Sequence, residues 1–340
     1  MPRTALTNSR IGQFCIVGDV AHASIKRQLS GVMYLSSKNF KPDGLDLSKV
    51  DFITPEDFDR HFREKSKAVT KPRVGDVLVG IIGSLGAPYV VQPTDQFGLS
   101  SSVAILRPDR RAILPDYLYY WMRGDKFQSA VYGTKGGVAQ SYLSLEMIRS
   151  LPLEFPSPGV QERIASILSA YDDLIENNTR RIKILEDMAQ MLYREWFVNF
   201  RFPGHEKVRM VESELGPIPA GWERKRLEEV ADVNERSIKS LSAPDRIRYI
   251  DIASVSTSRI EKIESFSFRD APGRARRIVK HGDIIWSTVR PNRRSYALIV
   301  TPEPNLIVST GFAVLTATKV PFSYLYCSVT TDDFADYLTN

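Results

Sequence analysis

Two periods govern the apolar positions of this chain. From Gln161 to Phe197 there is no glycine and no proline, and apolar or semi-apolar residues recur at Ile164, Leu168, Tyr171, Ile175, Ile182, Leu185, Ala189, Leu192 and Trp196. The steps alternate four and three, with one polar interruption at Asn178. That spacing predicts a helix with a heptad seam of about five repeats. At ~1.5 Å per residue the rod is roughly 55 Å long. Ser157-Pro158 supplies an N-cap and first-turn pair for its start. The seam is narrow and flanked by Asp172, Arg181, Glu186 and Glu195, which favours a coiled coil over a helix packed along its own domain.

The second pattern is one of short apolar runs. Val77–Ile82 and Ile284–Thr288 are β-branched segments entered through Gly-Asp turns, and Val103–Leu106 and Phe312–Leu315 read as short strands. Pro115 opens a helix through about Arg123, and Ser144 caps another that Pro152 ends. These runs repeat at a period of about 207 residues. Gly75–Val79 matches Gly282–Trp286, Leu99–Leu106 matches Val308–Leu315, Tyr117–Tyr119 matches Tyr324–Tyr326, and Asp125–Phe127 matches Asp332–Phe334. Leu227–Ala231 is matched to Val17–Ala21 near the start of the first copy. The period is too long for a solenoid and indicates a duplicated domain. The expected fold class is α+β, with two similar mixed α/β domains separated by the long helix. The expected division is residues 1–156, helix 157–200, a polar linker 201–222 that includes the stiff run Gly216–Trp222, and an incomplete second domain 223–340.

Composition narrows the picture. The 340 residues carry 46 Lys and Arg against 40 Asp and Glu, a net charge of +6 that suits a polyanionic partner. Cys15 and Cys327 stand far apart, which excludes a disulfide framework and fits a reducing, cytoplasmic compartment. No secretory leader is legible at the start, and no apolar run approaches the ~20 residues of a membrane span. Catalytic signatures are missing: no phosphate-binding GxxxxGK[ST] loop, no GxSxG elbow, and no His, Cys or Glu at a metal-ligand spacing. Gly80, Gly83 and Gly86 are spaced like part of a nucleotide loop, but Pro88 stands where its helix would begin. Glu223-Arg224-Lys225 has a nuclease-like Glu-x-Lys spacing without an upstream Pro-Asp.

Three stretches together resemble the specificity subunits of type I restriction–modification systems. Leu151–Ala165 is similar to the family's junction between a recognition domain and its first spacer helix. Leu215–Trp222 is similar to the entry into the second recognition domain, and Gly282–Pro291 to a recurrent strand and loop. The resemblance covers nearly the whole chain. It implies two target-recognition domains that each read half of a split site on double-stranded DNA, and no catalytic residues in this subunit. Methyltransferase and restriction subunits would dock on it, and would carry the S-adenosylmethionine, ATP and Mg. The second copy ends at Asn340, equivalent to about Gly133, so the chain reads as truncated relative to the family, without counterparts of Thr134–Pro156 or of a second spacer helix.

Bases are read most strongly by Arg on guanine and by Asn or Gln on adenine. The candidate DNA contacts are Lys135, Gly136, Gly137, Gln140, Ser141 and Tyr142 in the first copy, and Arg290, Asn292, Arg293, Arg294 and Tyr296 in the second. Arg274, Arg276 and Arg277 form a basic cluster suited to phosphate. The seam Ile164, Leu168, Tyr171, Ile175, Asn178, Ile182, Leu185, Leu192 and Trp196 is expected to pair with a second copy or with another chain's helix. The competing readings are a coiled-coil scaffold that binds protein, a metal-dependent nuclease built on Glu223, and an idle product of a disrupted specificity gene.

Overall fold

The structure, a computed structural model, describes residues 6–19, 25–64, 69–133, 142–214, 216–238 and 244–339. The chain divides into two compact units, Met1–Asn177 and Asn178–Asn340, and the division falls within the long helix Pro158–Tyr193.

The first unit begins with Thr7–Arg10 (β1), the single turn Ile11–Phe14 (α1) and Cys15–Asp19 (β2). Then come Val32–Leu35 (β3), the Phe40–Lys41 (β4) and Gly44–Leu45 (β5) hairpin, Asp51–Ile53 (β6) and Pro55–His61 (α2). Val77–Gly80 (β7), Pro88–Val90 (β8), Phe97–Leu99 (β9) and Val103–Pro108 (β10) supply most of the sheet. Pro115–Arg123 (α3), Asp125–Gly133 (α4), Leu145–Ser150 (α5) and Pro152–Phe155 (β11) complete the lobe. β2, β10, β7 and β8 lie in that order, all antiparallel. One face of this sheet packs Val77, Val79, Ala104 and Leu106 against Leu118, Phe127 and Ile148 of the helices. The other packs Leu78, Val103 and Ile105 against Tyr34, Leu35, Phe97 and Leu99 of a smaller sheet ordered β6-β3-β9. Because both faces are covered, the strands read as unbroken apolar runs.

Pro158–Tyr193 (α6) follows as a continuous helix of 36 residues, about 54 Å at ~1.5 Å per residue, and ends in a π-helical turn, Arg194–Val198. In the second unit Met210–Val211 (β12) pairs with Ile218–Pro219 (β13), within the stretch read from sequence as a linker. Leu227–Val230 (α7), Ala231–Val233 (β14), Arg246–Ile250 (β15), Val255–Ser256 (β16), Arg259–Ile260 (β17), Glu264–Ser267 (β18) and Ala275–Ile278 (β19) come next. They are followed by Ile284–Ser287 (β20), Tyr296–Leu298 (β21), Leu306–Ser309 (β22), Phe312–Ala317 (β23), Phe322–Val329 (α8) and Asp332–Tyr337 (α9). The order β14-β23-β20-β21 repeats that of the first lobe's main sheet. The parallel pair β15·β22 flanked by β18 repeats β3·β9 flanked by β6. The two lobes therefore share one core topology, to which the second adds β19 along β22.

The repeated Gly-Asp turn explains why its sequence is kept in both copies. Gly75 and Gly282 have φ of 84° and 85°, the left-handed geometry that a type II turn requires at its third residue. The aspartate that follows is buried in each lobe. Asp76 accepts from the Arg73 N–H at 2.8 Å and Asp283 from the Lys280 N–H at 2.7 Å, so each carboxylate staples its own turn.

The match of Leu227–Ala231 to Val17–Ala21 is corrected by the structure. Leu227–Val230 is a helical turn whose entry is closed by the Arg226 N–H donating to Glu229, and β14 follows directly. Its counterpart is Ile11–Phe14, closed by the Arg10 N–H donating to Gln13 and followed directly by β2. Val17 lies inside β2. The sequence match rested on a short acidic-Val-Ala string, whereas the fold aligns a helix-to-strand junction.

Candidate nucleic-acid interface

In the second lobe the β20–β21 loop carries the arginines. Arg290 and Arg294 both adopt φ of 53°, and Pro291–Arg293 forms a single 3-10 turn between them. Two non-glycine residues in the left-handed region within five positions hold only where the surroundings fix them. Here they do. The Thr288 N–H and Oγ1 both donate to the Gly311 carbonyl at 2.9 Å, and Thr257 Oγ1 donates to the Arg294 carbonyl at 3.1 Å. The Arg294 guanidinium pairs with Asp332 and, at 3.9 Å, with Asp336 on α9. Arg290, Asn292 and Arg293 are exposed, and among the described residues the two arginines have no acidic partner.

The second basic cluster meets this loop through the Thr310-Gly311 turn. The Thr310 N–H donates to the Arg274 carbonyl at 2.8 Å, and Arg277 reaches the Thr310 carbonyl at 3.5 Å. Arg274 pairs with Asp251 at 3.1 Å. Burial pushes the Asp251 carboxyl up, but hydrogen bonds from Tyr249 and Ala253 and the Arg274 charge outweigh it and hold the group below the usual range. Burial alone lowers the pKa of Arg277, whose Nε is enclosed without a partner. Arg274 and Arg277 thus meet the Thr310-Gly311 turn directly, and the loop that carries Arg290 and Arg293 meets it through Thr288.

Two predicted residues have other roles. Arg276 is half-buried, lies over the Phe268 ring at 5.2 Å and donates to the Ala275 carbonyl, so it packs its own sheet. Tyr296 is 8 % exposed, with its ring 5.2 Å from that of Trp286. It is a core side chain and is corrected from the candidate contacts: both faces of the sheet at β21 are covered, and Tyr296 packs with Trp286 in the cluster beneath α8 and α9.

The equivalent β7–β8 loop of the first lobe, residues 81–87, carries no charge. Its frame is built from hydroxyls and main chain. The Ile81 N–H donates to the Ser102 carbonyl at 2.8 Å, Ser37 Oγ to the Ile82 carbonyl at 2.5 Å, and the Ser37 N–H to Ser102 Oγ at 3.0 Å. Gly83 and Gly86 take φ of 80° and 82°, and Pro88 opens a strand rather than a helix. Lys135, Gly136, Gly137, Gln140 and Ser141 lie outside the described residues. Tyr142, the last of that stretch, is 58 % exposed and forms an antiparallel bridge with Ile82. Sequence reading passed over this hydroxyl frame. Its signal was the match of Ser100-Ser101-Ser102 to Ser309-Thr310-Gly311 inside the repeat.

Helix α6 is fastened to each unit by a glutamine. The fully buried Gln161 accepts from the Leu114 N–H at 2.9 Å and donates to the carbonyls of Ala112 and Pro156, each at 2.8 Å. Asp172 accepts from Arg123 at 2.7 Å and Tyr120 at 3.0 Å. In the second unit Gln190 donates to Thr330 Oγ1 at 2.7 Å, and the Tyr193 and Phe197 rings pack on Tyr324 at 5.5 and 4.8 Å. Most of the predicted seam stays open. Tyr171, Ile175, Asn178, Ile182, Leu185 and Leu192 are exposed, Ile164 and Leu168 are about a third exposed, and Trp196 is half-buried.

Glu223 and Lys225 pair with each other at 2.9 Å on the surface, and among the described residues no three His, Cys, Asp or Glu side chains gather as a metal site. Burial pushes the Cys15 thiol up to about 12 and raises Cys327 as well, which leaves neither poised as a nucleophile. Among the described residues no helix is long and apolar enough to cross a membrane.

A duplicated α+β lobe with loops at equivalent edges, joined through a long helix, defines the class. The type I restriction modification DNA specificity domain model matches residues 17–187, and the chain belongs to that family. It is 28 % identical over 222 residues to the MjaIX specificity subunit of Methanocaldococcus jannaschii, covering 64 % of this chain and 50 % of that one. It is 25 % identical over 196 residues to the HindI specificity subunit of Haemophilus influenzae, covering 56 % and 41 %. The chain thus spans about half the length or less of these relatives. The crystal structure of a type I restriction-modification S subunit from M. genitalium shares the fold, with a TM-score of 0.56 at 14 % identity over all of this chain and 80 % of that one.

Proposed function

We propose that this chain is the non-catalytic, DNA-sequence-reading subunit of a type I restriction–modification complex and directs methyltransferase and restriction subunits to a bipartite target. The observation that carries this reading is that one core lobe topology occurs twice, and that in the second copy the loop after the equivalent strand carries exposed arginines. In the second lobe the contacts are Arg274, Arg277, Arg290, Asn292 and Arg293. In the first they are Tyr142 and the preceding Lys135, Gly136, Gly137, Gln140 and Ser141. A spacer helix of about 54 Å is longer than one turn of DNA, ~34–36 Å, which supports a split site. The division into two recognition domains, spacer and linker belongs to the same reading, as does cytoplasmic placement beside the DNA.

The deciding measurement is binding to duplex DNA, by the chain assembled with its methyltransferase partner, as salt is raised. Each neutralised phosphate releases counterions, so affinity should fall steeply between low and physiological salt. An affinity that does not change with salt would sink the reading. The exposed seam of α6 is the surface on which a second helix packs, from another copy or another chain. Leu185→Asp should weaken that pairing; a monodisperse monomer of the unaltered chain in sedimentation would refute pairing with a second copy, and unchanged assembly of the Leu185→Asp chain with its partner subunits would refute pairing with another chain.

A further inference from the structure

We infer that the half-site read by the second lobe contains guanine, that Arg290 and Arg293 read it, and that Arg294 positions them. This rests on the DNA-reading function above and assigns its chemistry in one lobe.

Four observations support it. Arg290 and Arg293 are exposed, and the Arg293 N–H donates to the Arg290 carbonyl at 2.9 Å, so one closed turn carries both guanidinium groups. Two exposed arginines on one turn, with no acidic partner among the described residues, suit an acceptor-rich polyanion. The acids that reach the loop, Asp332 and Asp336, are engaged with Arg294. The loop backbone is already fixed by Pro291, by the two Thr288 bonds and by the Arg294 ion pairs, so little backbone entropy is lost when the loop binds. Finally, the loop holds three arginines and no lysine. The planar guanidinium fork fits the paired O6 and N7 acceptors of guanine in the major groove, the commonest base-specific contact; it fits a phosphate as well, and a loss confined to guanine rather than spread over all sequences separates the two.

Arg294 differs from its neighbours because its charge is already met. It ties the end of the loop to the start of α9 and acts through Arg290 and Arg293. The equivalent loop of the first lobe carries no arginine, so this loop's readout has no counterpart there.

The test is selection from a randomised duplex DNA library by the full chain assembled with its methyltransferase subunits. The unaltered complex should enrich two separated half-sites, one with an invariant guanine. Arg290→Ala and Arg293→Ala should each reduce discrimination at a guanine by about 5- to 150-fold and leave the other half-site unchanged. Arg293→Lys should keep overall affinity and weaken the guanine preference, since an ammonium lacks the planar fork. Arg294→Ala should loosen the whole half-site, and Arg294→Asp combined with Asp332→Arg should restore it. Guanine preference that survives both alanine variants, or a uniform loss over all sequences, overturns the assignment while DNA reading stands. Failure of the charge reversal to rescue overturns the positioning role. If the unaltered complex enriches nothing and binds DNA without salt dependence, the functional reading fails as well.

Discussion

Between β7 and β8 the first lobe places an uncharged loop that turns at Gly83 and Gly86. Between β20 and β21 the second places Arg290-Pro291-Asn292-Arg293-Arg294 on an equivalent frame. The strands beneath are paired identically, and the covering helices pack the same sheet faces. The same contrast recurs inside the core. Asp76 accepts from Nε and Nη2 of Arg107, a residue of β10, at 2.8 and 2.7 Å. Asp283 takes Arg236, which follows β14, at 2.6 Å, and Thr316, which occupies the β23 position equivalent to Arg107, at 2.7 Å. Apolar packing and the Gly-Asp turn therefore set the frame, and the charged groups vary provided each buried carboxylate keeps a cation. Loop chemistry has more freedom still, because an exposed arginine costs the fold little.

The sharpest way to break this comparison is to remove each cation. Arg107→Ala should destabilise the first lobe by about 3–5 kcal/mol, since it strands a buried charge. Arg236→Ala should cost the second lobe less, because Thr316 still donates to Asp283. Urea unfolding followed by a lobe-specific probe measures both, and a larger loss for Arg236→Ala would contradict the cushioning role of Thr316. The helix anchors come next. Gln161→Leu leaves one N–H and two carbonyls unmet in a buried site and should cost about 2–3 kcal/mol. Gln190→Leu, at a half-buried site with one strong bond, should cost about 1 kcal/mol. Thermal unfolding of the two variants orders them, and equal losses would show that the helix is held alike in both units. The smallest effect is chemical. Cys15 is enclosed and its thiol pKa is raised to about 12, whereas Cys327 is half-exposed with a smaller upward shift. Raised values deplete the thiolate at neutral pH, so alkylation should be slow at both and slower at Cys15, with peptide mapping as the readout.

Local and periodic features were legible in the sequence. The heptad spacing gave α6 its extent, Pro115 and Ser144 gave the starts of α3 and α5, and the Gly-Asp blocks marked β7 and β20. Features that depend on non-local pairing were not. The parallel strands of β3·β9 and β15·β22 are about 60 residues apart in sequence. The equivalence of α1 and α7 is carried by geometry rather than by matching letters. Of the basic residues singled out, composition could not separate Arg276, which folds back over Phe268, from Arg277 beside it, because a bulge between Ala275 and Arg277 shifts the register of that strand. Tyr296 was misjudged for a related reason: a polar tip beside arginines looks like a surface contact, yet its position on β21 sends the ring into the core.

The different origins of the cations on Asp76 and Asp283 bear on how such a gene can be recombined. A crossover that moved β10 into the second lobe would set Arg107 beside Arg236 on one carboxylate. The reciprocal product would carry Thr316 in the first lobe with no guanidinium to neutralise Asp76. Viable chimeras should therefore exchange whole lobes, with breakpoints outside the sheet, and a shuffled library should be depleted of joints that separate β14 from β23.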